Sequence, residues 1–193
     1  MSRYPRSVEE LTRALDAGKR FKYVYFWGNR PPRGGGAGSG CLSQWWPSPF
    51  VVDDVRFATA EHYMMWRKAQ LFGDEEVAAQ VLTAGHPKQA KDFGRRVRRF
   101  DEATWVASRR EIVVDGNVAK FAQHPDLAGY LAGTGDRVLV EASPLDRVWG
   151  IGLAADDPRT ANPRGWRGLN LLGFALADVR AQLGSRTGSP AAR

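Results

Sequence analysis

One stretch limits what this chain can become: Ala58-Thr59-Ala60-Glu61-His62-Tyr63-Met64-Met65-Trp66-Arg67-Lys68-Ala69. Thr59 is a good N-cap and no Gly or Pro follows until Gly73, so the spacing predicts a helix of about three turns. At about 100° per residue, Glu61, Met65, Lys68 and Phe72 share one narrow arc, with Met64 and Leu71 on its flank. A carboxylate and an amine thus stand two turns apart in an apolar stripe. Burying charge is costly unless it is paired or used, which marks Glu61 and Lys68 as candidate functional residues. Their separation, about 10.5 Å along the axis, is too long for a direct helical ion pair.

The flanking sequence predicts short elements. Ser7-Val8-Glu9-Glu10 is a capping-box pattern opening an amphipathic helix through Leu11, Ala14 and Leu15 to Gly18. Phe21 to Trp27 reads as a strand. The segment from Pro31 to Gly40 is expected to be an irregular, mobile Gly-rich surface loop, able to close over a ligand, rather than a P-loop, since no Gly-Lys-Ser/Thr follows it. Cys41 to Phe50 is too Pro-rich for a helix or a central strand, and its Trp45-Trp46 pair fits either a stacking wall or a core plug. Val51 to Phe57 reads as a hairpin.

After Gly73, Asp74 caps a helix to about Leu82. A further helix begins at His86-Pro87 and carries Lys91 and the basic run Arg95-Arg96-Val97-Arg98-Arg99. Asp101 caps another, with Trp105, Arg109 and Ile112 on one face. Gly116-Asn117 is expected to break it, and Val118 to Gln123 to continue helically. Pro125 to Leu131 forms a short helix. Val138 to Ala142 is the clearest buried strand, running into a Ser143-to-Leu153 loop whose Asp146, Arg147 and Trp149 fit either ligand contact or a structural clasp. Trp166 to Asn170 opens a last apolar helix to about Leu183, and the tail from Gly184 is expected to be disordered.

With 193 residues, 43% of them hydrophobic, the chain can bury a sizeable core in one domain. A lone Cys41 excludes an internal disulfide and a cysteine-based zinc site and suits a reducing compartment. No apolar run approaches the roughly 20 residues of a membrane span, and the start carries no signal core; the expected location is the cytoplasm. His62, His86 and His124 have no metal-ligand spacing, so no metal is expected. His62 points away from Glu61 and reads as a structural histidine. The net charge of +7 allows contact with nucleic acid or phosphate without requiring it.

Seven ordered blocks carry a resemblance: Cys41-Leu42-Ser43-Gln44-Trp45; Glu61 to Met65 with Lys68-Ala69; Ala90-Lys91 with Gly94-Arg95; Lys120-Phe121 with Gln123; Glu141-Ala142-Ser143-Pro144 with Asp146-Arg147; Trp149-Gly150-Ile151-Gly152; and Asn170-Leu171-Leu172-Gly173. From about Phe21 to Leu183 the chain resembles the YbiA-like, or NADAR (NAD- and ADP-ribose-associated), superfamily. The resemblance implies one compact, helix-rich α+β domain with a few short strands over 21–183, after an N-terminal helical extension at 1–20 and before a tail at 184–193. It also implies cleavage of N-glycosidic bonds to ribose without a cofactor. One branch hydrolyses phosphorylated ribosylamino-pyrimidine intermediates of riboflavin biosynthesis, releasing ribose 5-phosphate, and that is the expected function here. The alternatives are removal of ADP-ribose from guanine in nucleic acids, and a non-catalytic NAD/ADP-ribose-binding module.

The resemblance carries the key acid onto Glu61, the lysine onto Lys68, an aromatic wall onto Trp105 and the late acid and Trp onto Asp146 and Trp149. Glu61, Lys68 and Asp146 are the catalytic candidates; Trp45, Trp105, Trp149, Arg95, Arg109 and Asn170 are the substrate-binding ones. Some riboflavin-branch members place an acid where this chain has Ile151, so no role for that acid carries over.

Overall fold

Ser7 caps the first helix as its capping pattern predicts: its Oγ accepts the Glu10 amide at 3.1 Å, while Glu10 reaches back to the Arg6 amide at 2.9 Å. In this computed structural model, which describes residues 4–187, the chain is α+β and helix-rich, with two two-stranded sheets among the described residues. Its contacts divide it into two compact units, Met1–Ser43 with Asp126–Arg193, and Gln44–Pro125.

The first unit holds α1 (Val8–Asp16), β1 (Tyr23–Phe26), β4 (Val138–Glu141) and α7 (Leu171–Thr187). The two strands pair in parallel, Tyr23 opposite Val138 and Phe26 opposite Glu141. β4 is the buried strand that its Val-Leu-Val run predicts; Val138 and Val140 pack with Leu11 of α1, Ile151, Leu153 and Phe174 of α7 in one core. Gly173 is required at the start of α7, because a Cβ there would lie 2.0 Å from the Leu139 carbonyl oxygen. α7 runs on to Thr187, past the expected end at Leu183. The rest of the expected tail, 188–193, lies outside the described residues.

The second unit is built around α2 (Ala60–Leu71), which packs against α3 (Glu75–Leu82), α4 (Pro87–Gly94) and α5 (Glu102–Ala122). The hairpin β2 (Phe50–Val52) and β3 (Val55–Phe57) precedes it, turning through Asp53 and Asp54 at φ of 49° and 61°, the left-handed geometry of a tight two-residue turn. α6 (Pro125–Gly133), all but its first residue, belongs to the first unit and precedes β4.

The structure departs from the sequence expectations at four places. A short 3-10 turn occupies Ser39–Leu42, where only irregular chain was expected. The basic run is not helical: α4 ends at Gly94, and Arg98 instead turns back to hold the Asp74 carboxylate with two charge-assisted bonds of 2.6 and 3.0 Å. α5 continues unbroken through Gly116-Asn117, because Tyr63 of α2 seats against the bare Cα of Gly116 and Asn117 bonds the Val113 carbonyl one turn back at 2.8 Å. Leu71 is exposed rather than part of a buried stripe, whereas Ala60 to Met65 are buried without interruption. A helix enclosed by three others is buried all round, so a single-stripe reading of its first half is too narrow. Among the described residues no helix is long and apolar enough to cross a membrane.

Candidate functional site

Thr59 starts the helix that presents Glu61. Its hydroxyl accepts the His62 amide and lies 2.8 Å from His62 Nδ1, while His62 Nε2 lies 3.1 Å from the Ala84 carbonyl. Both ring nitrogens are therefore used, the Nε2–H donating to the carbonyl, and burial pulls the imidazole below its ordinary pKa. This is the structural histidine read from the sequence. Its bonds fix the rotation of the first turn of α2.

Glu61 follows directly, 3% exposed. Its amide donates to the Gln44 carbonyl at 3.0 Å, which ties the start of α2 to the residue preceding Trp45. The Gln44 side chain in turn accepts from Asn117 Nδ2 at 2.7 Å. Glu61, Gln44, Asn117 and, one turn beyond Asn117 on α5, Lys120 are all buried. An acid at a helix N-terminus is favoured as the anion, and most polar groups this deep are hydrogen-bonded.

Gln44 and Lys120 stand in the resemblance blocks without an assigned role, and Asn117 enters the sequence reading only as part of a helix break. The signal lay in the i, i+4, i+7 series Val113, Asn117, Lys120 on one face of α5, hidden once Gly116-Asn117 was read as a break. Asn117 Oδ1 is itself buried and without a hydrogen-bond partner among the described residues.

Lys68, two turns on from Glu61, is half-buried. Its ammonium donates to the Gly94 carbonyl at the end of α4 at 2.9 Å and lies 4.3 Å from the Phe100 ring centroid and 5.5 Å from that of Trp105. Burial lowers the amine's pKa, with Glu102 opposing the shift. The helix-end carbonyl and the two π faces hold the charge in an otherwise apolar setting. Gly94 is obligatory at this contact, since a Cβ would meet Met65 Sδ at 2.2 Å.

The structure thus brings Lys68 and Trp105 together. Arg109 stands one turn beyond Trp105 on α5, half-buried, with no hydrogen bond or ion pair among the described residues. Trp45 is half-buried, its ring edge-on to His86 at 5.8 Å. Arg95 is exposed and paired with Asp92 at 3.2 Å.

The other three candidates lie in the first unit. Asp146 is half-buried, its Oδ1 accepting the amides of Val148 and Trp149 at 2.9 and 2.8 Å. It organises the loop that carries the half-buried Trp149. Asn170 is fully buried at φ 52°; its Oδ1 accepts the Glu141 amide at 3.0 Å and its Nδ2 donates to the Leu139 carbonyl at 2.9 Å. Both ends of that side chain fasten β4 to the start of α7. Ile151 is fully buried in the Leu11–Phe174 core.

Comparison with known proteins places these residues in a family. The NADAR domain model matches residues 25–184. An N-glycosidase of Acanthamoeba polyphaga mimivirus is 39% identical over 166 residues, covering 83% of this chain and 96% of that protein. An N-glycosidase of Nostoc punctiforme is 33% identical over 144 residues, covering 75% and 85%. The NMR structure of the Escherichia coli protein YbiA superposes with a TM-score of 0.71 at 24% identity, over 91% of this chain and 92% of that one, a likeness of fold.

Proposed function

The chain belongs to the NADAR domain family and is a hydrolase of N-glycosyl bonds; from that premise we propose that it cleaves the C1–N bond of a phosphorylated ribosylamino-pyrimidine of riboflavin biosynthesis, releasing ribose 5-phosphate. Glu61 carries this reading: a carboxylate 3% exposed, at the N-terminus of a helix whose first turn is held by Gln44, Thr59 and His62.

Departure of the heterocycle builds positive, oxocarbenium-like charge on the ribose. An adjacent carboxylate stabilises that charge, takes a proton from the attacking water and passes one to the leaving nitrogen. Water supplies the oxygen at C1, and the base leaves as its amine.

Lys68 has two roles compatible with its surroundings. As an ammonium it is a point charge for phosphate. With the proton lost, which its lowered pKa favours, the amine attacks C1 as the C1–N bond breaks and the heterocycle leaves as its amine; the C1–O4′ bond then opens to an imine on Lys68, the two lysine protons passing to the leaving amine and to O4′, and water hydrolyses the imine to ribose 5-phosphate and free lysine. Trp105 and Trp45 offer ring faces to the base, and Arg109 a guanidinium for the phosphate.

A second reading, removal of ADP-ribose from guanine in nucleic acid, is favoured by the net charge of +7, since strand contacts require cationic residues. Product analysis separates the two. Incubation with the phosphorylated aminopyrimidine riboside is expected to release ribose 5-phosphate. Release of ADP-ribose from modified oligonucleotides, with the riboside left intact, would replace the first reading by the second.

A further inference from the structure

A cavity of about 630 Å³ opens in the first unit between α7, the turn before β4 and the chain leading into β1. Its walls include Tyr4, Arg20, Phe21, Asp136 and Arg180, and none of the candidate site residues lines it. Tyr4, Arg20 and Phe21 precede residue 25, where the family match begins.

Arg180 gives the cavity its chemistry. Its Nη1 donates to Thr134 Oγ1 at 2.7 Å and to the Arg137 carbonyl at 3.1 Å, both neutral oxygens. A guanidinium has five N–H donors, and the remaining three have no protein acceptor among the described residues, nor is any carboxylate within ion-pair distance. Asp178, a buried acid just before Val179 on the same helix, is bonded instead to Arg6 at 2.9 Å and to the Tyr4 hydroxyl at 3.1 Å. Burial accordingly pulls the Arg180 pKa down, only partly offset by Tyr4 and Asp136. A half-buried cation anchored from one side by neutral groups is underpaired, and an anion offering several acceptors relieves that deficit.

Arg20, exposed at the rim, adds a second guanidinium with no ion pair among the described residues. Asp136 is the opposing charge, leaving the wall one positive charge in excess. Tyr4 and Phe21 supply ring surface, and the volume is that of a small-molecule site.

We propose that this cavity is a second ligand site, taking a phosphate monoester that carries a planar ring, with Arg180 and Arg20 on the phosphate and Tyr4 and Phe21 against the ring. The geometry makes the N-terminal stretch a specificity element added to the family's domain.

The test uses the full chain with adenosine 5′-monophosphate as probe, adenosine and orthophosphate as controls, and backbone hydrogen exchange to locate binding. The monophosphate is expected to protect amides around residues 19–22 and 133–138. Arg180→Gln is expected to weaken that protection by about tenfold or more, as loss of a charged hydrogen-bonding group does. Since Arg180 also braces the turn before β4, Arg20→Ala, at an exposed residue with no ion pair among the described residues, serves as the fold-neutral variant and should weaken binding about threefold or more. Absence of protection in these segments, unchanged affinity in Arg20→Ala, or equal binding of adenosine or of orthophosphate would each overturn the proposal.

Discussion

Replacing Gly116 by alanine tests how α5 is seated on α2, the contact that sets Asn117 and through it Gln44 and Glu61. An alanine inside a helix gains about 1 kcal/mol over glycine from backbone entropy. Here the added Cβ would stand 2.4 Å from Tyr63 Cδ1, 2.9 Å from Cε1 and 3.1 Å from Cγ. Ordinary van der Waals contact begins at about 3.4 Å, so ring or helix must move by about 1 Å. The ring cannot swing aside cheaply: Phe50, Phe57 and Trp66 surround it with centroids at 6.0, 5.1 and 6.4 Å. Overpacking of this kind costs about 1–3 kcal/mol, and the close approach at the base of a caged ring puts it near the upper end. The net loss is about 2 kcal/mol, or roughly 4–8 °C in Tm for a chain of this size. Gly129 of α6, where a Cβ meets nothing within 4 Å, is the matched control: Gly129→Ala should raise Tm. Thermal and urea unfolding of both variants decide the matter. A Gly116→Ala protein stabilised as much as Gly129→Ala would show that Tyr63 does not occupy the glycine notch, and the seating argument would fail.

Borohydride added during turnover should leave a reduced ribose 5-phosphate adduct on the peptide containing Lys68; without an adduct, Lys68 acts only as a charge. Arg109→Ala should raise KM about tenfold for the phosphorylated substrate while leaving the dephosphorylated riboside unaffected, and equal effects on both would remove Arg109 from phosphate binding. His62 has a folded-state pKa below its unfolded value of about 6.5, so the unfolded chain binds the extra proton. Its contribution is therefore fully present above about pH 6.5 and lost as pH falls through the folded value. Unfolding midpoints of wild type between pH 8 and 5 should show an acid-side slope that shrinks in His62→Gln; an unchanged slope would assign the slope to other groups.

The caps and turns were legible because their signals are local: Ser7, Thr59, Asp74, His86 and Asp101 all cap the helices that they announce. Tertiary contacts decided what local signals could not. Gly116 reads as a breaker until Tyr63 is known to fill its notch, and Arg95 to Arg99 read as helix until Arg98 is seen to reach Asp74. The charge conflict at Glu61 and Lys68 pointed to a buried acid and a partly buried amine. It could not show that Lys68 leans on the end of α4, or that Gln44 and Asn117 brace the acid, because those partners come from 26, 17 and 56 positions away in the sequence. Asn170 shows the opposite limit: a family block reads as substrate contact, yet its side chain is spent on the backbone of β4.

The central claim is that Glu61 performs the chemistry. Glu61→Gln keeps the size and the Gln44 backbone bond while removing the charge and the proton-accepting oxygen. Single-turnover measurement of ribose 5-phosphate release, alongside binding of the phosphorylated riboside, is the direct test. The account predicts a rate loss of about 100-fold or more with binding within about threefold of wild type; full activity in Glu61→Gln would contradict it.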